Sequence, residues 1–258
     1  MVDRPPKRMA YDPWLFFTAV LLVAGGLFMV GSSSTYIAMG YGDSPSAFYV
    51  RQGLHVVAGL AGLMLAMRIP YRELDRRWLI GTLFVGCLAA LVVVLAMDSA
   101  GGARRWIPLG PANVQPSEFV KLFVVLFMAY MLSRKERQIN DFGSVLLPCI
   151  AVVGTLSGLI LLEPDLGSAL MLLLVAGLMI FAAGLRWSYI GGAALGGVVA
   201  AGLAIAAAPY RLERVRAWWG IWSDPGADCL GSNFQLDQSL VAIGSGGLLG
   251  VGFGQGQQ

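Results

Sequence analysis

Apolar residues along this chain fall into long unbroken blocks, not into the spacing of an amphipathic helix or the alternation of a half-buried strand. Seven blocks stand out: Trp14–Gly31, Gln52–Met67, Trp78–Met97, Ser117–Leu132, Val145–Leu162, Ser168–Gly184 and Tyr189–Ala208. About 18 or more apolar residues make a helix long enough to cross a hydrocarbon core about 30 Å thick. The pattern predicts an all-α polytopic membrane protein, with about seven transmembrane helices over residues 1–208. Residues 209–258 contain no such block and are expected to form a long outer segment carrying a short amphipathic helix. The first block is not expected to be a cleaved signal peptide, because six more spans follow it and no small-residue cleavage site does.

Composition agrees. Hydrophobic residues make up 57% of the 258 residues and charged residues 13%, where a soluble domain carries about a quarter charged. A net charge of +3 gives no reason to expect a nucleic-acid partner. The distribution of that charge says more. With a cytoplasmic N-terminus, eleven Arg and Lys fall inside, in residues 4–8, 68–77 and 134–137 and at Arg186. Six fall outside: Arg51, Arg104, Arg105, Arg211, Arg214 and Arg216. This satisfies the positive-inside rule and makes the outer arginines the ones that need an explanation. Cys87 and Cys149 lie inside spans and read as small packed hydrophobes, while Cys229 falls in the outer segment. The single histidine, His55, is expected to be packed and hydrogen-bonded, and one histidine leaves no His-based metal cluster.

Ionisable groups at the ends of spans are the candidates for chemistry. Glu118 and Lys121 share a helix face behind Pro116, which suits a first helical position. They read as a structural ion pair, as the lining of an outward-facing cavity, or as both. Asp165 precedes Leu166-Gly167-Ser168 and reads as the N-cap of the sixth span. Glu163 puts a second carboxylate at the same tight turn, an arrangement that can push two pKa values apart. Trp106, behind Arg104 and Arg105, would either stack on a sugar or anchor its loop. In Tyr210–Trp222, Leu212, Val215, Trp219 and Trp222 recur at helical spacing, with Arg211 and Arg214 on another face. The aromatic face fits an interfacial anchor, and the two arginines one turn apart favour a phosphate or diphosphate. The glycine-rich stretch Gly244–Gly256 matches no dinucleotide fingerprint and reads as close backbone packing or a loop.

Four ordered segments, Gly102–Lys121, Glu163–Gly167, Tyr210–Val215 and Gln238–Gly250, closely resemble the shape, elongation, division and sporulation (SEDS) family, the FtsW/RodA peptidoglycan polymerases. The resemblance runs from Tyr11–Pro13 to the last residue and implies a ten-helix fold, of which this chain would be an N-terminal fragment with seven. It implies a glycosyltransferase that polymerises lipid II on the outer face of the bacterial cytoplasmic (inner) membrane. The implied partners are lipid II, a class B penicillin-binding transpeptidase and membrane lipids, with no nucleic acid. No cofactor is expected except a divalent cation at the diphosphate. By motif, Trp106, Glu118, Lys121, Asp165, Arg211 and Arg214 match the family's substrate-binding positions. No catalytic residue is assigned, because the family's aspartate, in a His-Thr-Asp-Phe motif, is expected beyond Gln258. The Tyr210–Val215 form leans towards a division polymerase. An elongation polymerase, a lipid II flippase and a scaffold for the transpeptidase are the alternatives.

Overall fold

The computed structural model describes residues 12–41, 45–97, 105–109, 112–223, 234–247, 249–252 and 254–255. Every expected span falls on a helix. These are α1 (Pro13–Tyr41), α2 (Pro45–Ala66), α4 (Arg77–Ala96), α5 (Pro116–Arg134), α6 (Leu147–Leu162), α7 (Leu166–Ala182) and α8 (Trp187–Ala206). The short helix α3 (Tyr71–Leu74) precedes α4, and a π turn over Phe142–Leu146 leads into α6. Among the described residues five of the helical spans are long and apolar enough to cross a bilayer, and Val50–Ala66 and Leu166–Ala182 are shorter apolar helices. The 17 residues of α7 sit at the lower limit for a spanning helix.

Two differences from the expected pattern are informative. Helix α1 runs to Tyr41, well past Gly31. Its serines do not end it, because the Ser33 hydroxyl donates back to the Met29 and Val30 carbonyls at 3.1 and 3.3 Å and so is satisfied within the helix. The loop after α4 is not wholly irregular. Strands β1 (Ile107–Leu109) and β2 (Ala112–Val114) pair antiparallel, with Ile107 opposite Val114 and Leu109 opposite Ala112.

The chain forms two compact units. One comprises residues 70–208, and the other residues 1–69 together with 209–258. In the first, α5 is the centre and packs against α4, α6 and α7. Its buried positions Val120, Phe123, Val124, Phe127 and Met128 follow three-and-four spacing along one face. Leu91 and Val94 of α4, Val153, Leu156 and Ile160 of α6, and Leu172 of α7 complete this core. Cys149 is buried in it and Cys87 packs at its edge, as expected of small apolar side chains. Helix α8 packs against α7 and buries none of its residues.

In the second unit α1 packs against α2. His55 is exposed on α2 and has no hydrogen bond among the described residues, so the expected packed histidine is not found. The remaining elements of this unit are α9 (Pro209–Ser223), a helix where the short amphipathic one was expected, and α10 (Phe234–Gly246), which was not anticipated. Gly247, Gly250, Gly252 and Gly254 take positive φ, and no atom outside their own backbone crowds a would-be Cβ closely. These glycines serve backbone conformation and not close packing. The Gly254 amide donates to Ser32 Oγ of α1 at 2.8 Å.

Candidate functional site

The core unit gathers its polar loops at two opposite ends of α5. At the Arg134 end, Arg134 Nε and Nη2 grip the Asp75 carboxylate at 3.0 and 3.3 Å. The Arg134 guanidinium also lies 4.7 Å from the Tyr130 ring centre. Lys135 Nζ donates to the Ser144 carbonyl at 2.5 Å, and the Arg186 amide donates to Asn140 Oδ1 at 2.9 Å. Segments 72–77, 134–144 and 183–187 therefore meet at one end. All three were assigned to the same side from charge alone.

At the Pro116 end the α6–α7 turn meets the hairpin loop. Pro116 occupies the first helical position of α5, as expected. Asp165 caps α7, accepting the Ser168 amide at Oδ1 (3.0 Å) and the Ser168 hydroxyl at Oδ2 (2.8 Å). Gln115 Nε2 adds a third hydrogen bond to Oδ2 at 3.3 Å. Arg105 Nε donates to the Glu163 carbonyl at 3.2 Å, and its Nη2 donates to the Pro164 carbonyl. A cation thus sits on the carbonyl-rich C-terminal end of α6, where orphan acceptors and the helix dipole favour it. Arg105, one of the outer arginines that called for an explanation, has one here: backbone carbonyls occupy its guanidinium.

Glu163 is the most unusual group of this cluster. Its side chain is fully buried, and neither carboxylate oxygen has a hydrogen-bond partner among the described residues. Burial, and then the Asp165 charge, push its pKa up to about 7, with Arg105 pulling in the opposite direction. Of the two carboxylates at this turn, Glu163 is the one pushed up, by burial first.

The remaining candidates stand on exposed surfaces. Trp106 is half-exposed beside Arg105, immediately before β1. Glu118 and Lys121 form the expected pair at 2.7 Å, with Glu118 57% and Lys121 29% exposed, so the pair is not a buried one. Arg211 and Arg214 belong to the other unit, on α9. Arg211 Nε donates to the Tyr210 hydroxyl at 2.7 Å, with the guanidinium 5.3 Å from the Tyr210 ring centre. Arg214 is exposed and makes no ion pair or hydrogen bond among the described residues. Trp218 and Trp219 meet edge to face at 6.2 Å. Arg104 and Cys229 lie outside the described residues, as does the Trp222 side chain.

Reasoning from sequence alone passed over Gln115 and Ser168 and left Arg105 and Glu163 out of the binding set. Glu163 had a legible signal, a carboxylate in a three-residue turn between two apolar blocks. The contact of Arg105 with residues 58 and 59 positions away had none in spacing.

Apolar helices joined by a polar turn cluster at each end define a multi-pass α-helical membrane protein. A model of the FtsW/RodA/SpoVE cell cycle protein family matches residues 13–258, and the chain belongs to that family. It is 38% identical to the probable peptidoglycan glycosyltransferase FtsW of Trichlorobacter lovleyi, over 99% of this chain and 66% of the relative. It is 36% identical to the stage V sporulation protein E of Bacillus subtilis, over 98% of this chain and 68% of that protein. The chain thus spans about two thirds of the length of these curated relatives. Among solved structures it resembles a chain described under the structural coordination of polymerization and crosslinking by a peptidoglycan synthase complex. That match has a TM-score of 0.66 and 33% identity, over 93% of this chain and 67% of the other. The rod shape determining protein RodA of Thermus thermophilus matches with a TM-score of 0.59 and 26% identity, over 98% of this chain and 90% of RodA.

Proposed function

We propose that this protein is a peptidoglycan glycosyltransferase that polymerises lipid II during cell division. The observation that carries the reading is the match, over nearly the whole chain, to relatives named as FtsW glycosyltransferases. The protein would lie in the bacterial cytoplasmic membrane with its N-terminus in the cytoplasm. By span count that orientation would assign the loops of the Arg105–Asp165 cluster to the outer side, where the lipid-linked sugar would be. A class B penicillin-binding transpeptidase is the partner this reading implies, since the solved relative belongs to a complex that couples polymerization and crosslinking.

The chemistry needs three things from the protein. A leaving diphosphate must be held as its charge builds, the sugars must be oriented, and the acceptor hydroxyl must lose a proton. Arg214, exposed and without a partner among the described residues, is suited to the diphosphate, since a guanidinium fork matches phosphate oxygens. Arg211, steadied against Tyr210, would complete the pair. Trp106, half-exposed, would face the saccharide. Glu118 and Lys121 would line the approach, and Asp165 would be a fixed negative charge at the turn. Among the described residues no group of three or more His, Cys, Asp or Glu could hold a metal ion. No step is assigned to a cation.

The test uses the protein reconstituted with lipid II and its transpeptidase, with glycan strands measured against lipid II concentration. Lysine keeps the charge of Arg214 but loses the fork, and a hydrogen bond to a charged group contributes about 1.5–3 kcal/mol. Arg214→Lys should therefore need about tenfold more lipid II for the same rate. Trp219→Leu should lower membrane seating more than turnover. Parent-like behaviour of Arg214→Lys at every concentration would remove the diphosphate role.

A further inference from the structure

The structure contains a buried carboxyl that the proposed chemistry does not use. Glu163 is 0% exposed, and both its oxygens lack a partner among the described residues. Its neighbours are committed elsewhere. Arg105 spends its hydrogen bonds on the Glu163 and Pro164 carbonyls and not on the Glu163 carboxyl. Gln115 and Ser168 donate to Asp165. Helices α6 and α7 carry no ionisable side chain other than Cys149, and the arginine of α4 is at that helix's opposite terminus. Glu118 and Lys121 of α5 are paired with each other on its more exposed side. Among the described residues the charges that bear on Glu163 are thus Asp165, two residues away, and Arg105.

A buried, unpaired carboxylate is far costlier than a buried carboxylic acid. Ionising Glu163 would also set a second negative charge against Asp165 inside one three-residue turn. We propose that Glu163 is a positioning residue that carries a proton in the folded protein, and that this proton keeps Asp165 in its capping pose. Deprotonation turns a silent buried group into a repelling one, and the strain falls on the Asp165–Ser168 hydrogen bonds. The direction of its titration agrees, with burial and the Asp165 charge both raising it to about 7. The bearing of this device on turnover rests on the function proposed above. The proton and its effect on Asp165 do not.

The sign follows from linkage. Unfolded, Glu163 loses its proton near 4.5, and folded it keeps it until about 7. Between these values only the folded state holds the proton, so stability falls as pH rises through the window and then levels off. Three readouts on the purified protein in lipid nanodiscs test this, none of which needs polymerase activity. Infrared spectra of the parent should show a carboxylic acid carbonyl band that is half lost near pH 7 and absent in Glu163→Gln. The melting temperature of the parent should fall more between pH 5 and pH 8 than that of Glu163→Gln, whose amide keeps the shape of the neutral acid. Hydrogen exchange at the Ser168 amide, corrected for its intrinsic pH dependence, should speed up above pH 7 in the parent but not in the variant. Absence of the titrating band in the parent would overturn the proposal even if the variant failed to fold. A band with identical Ser168 exchange in both proteins would overturn the positioning role. Loss of polymerisation with all three signatures intact would count against the proposed function alone.

Discussion

At the residue scale, the outer-end cluster shows how one arginine can be mistaken for another. Arg105 and Arg214 both look like outward cations against the positive-inside trend. Arg105 is partly buried and donates to the two carbonyls that end α6, whereas Arg214 is exposed and without a partner among the described residues. The two should therefore fail differently. Hydrogen bonds to charged groups contribute about 1.5–3 kcal/mol, so Arg105→Ala should lower the unfolding free energy by roughly that amount, measured by thermal or denaturant melting in detergent. Arg214→Ala should leave melting close to the parent. Equal melting of the two variants would show that Arg105 does not cap α6 in solution. Asp165 had a legible role because capping is local, with donor and acceptor three residues apart. The partner of Arg105 was not legible because it lies 58 positions away and nothing in the intervening sequence encodes the contact.

At the element scale, α5 and α8 are both apolar helices of similar length with opposite roles. Helix α5 buries a full face, on which Phe123 packs 5.9 Å from Phe84 and 6.0 Å from Phe127 between ring centres. Helix α8 leaves Leu195, Val198 and Leu203 exposed, as expected of a lipid-facing helix. Removing a buried phenylalanine costs about 3–5 kcal/mol through lost contacts and the cavity left behind. Phe123→Ala should thus destabilise the protein strongly, while Leu203→Ala should change little, because lipid fills the space. Unfolding in bicelles measures both. Comparable losses would mean that α8 packs against protein on a face exposed here. The hairpin β1–β2 and helix α10 are too short and too rich in glycine, proline or polar residues to announce themselves against seven long apolar blocks.

At the scale of the whole molecule, the distribution of basic residues predicts the sidedness. Within the core unit, the Arg134–Asp75 and Arg186–Asn140 contacts gather the segments assigned to the cytoplasm. The Arg105–Glu163 and Gln115–Asp165 contacts gather those assigned to the outside. Reporter fusions after Arg137 should therefore signal cytoplasm, and fusions after Asp224 should signal the outer side. Both reporters on the same side would break the seven-span order. Reversing the basic bias near the first span is the charge change that should disturb this pattern, since Arg and Lys near span ends, not net charge, decide orientation.

What the sequence by itself determined is the position of the seven long apolar helices, the Asp165 cap and the Glu118–Lys121 pair. The reason is that bilayer thickness imposes a length on every span, and caps and i,i+3 pairs are local. Only the tertiary structure decided that α5 is the centre and α8 the rim. In a membrane the lipid is as apolar as the protein interior, so a helix shows no polar face to mark its outside. It also decided that Glu163 is sealed while Glu118 is open, though both are glutamates at the end of a span. That difference comes from which surfaces close over each side chain, and only the packing of α5, α6 and α7 with the Arg105 loop sets it.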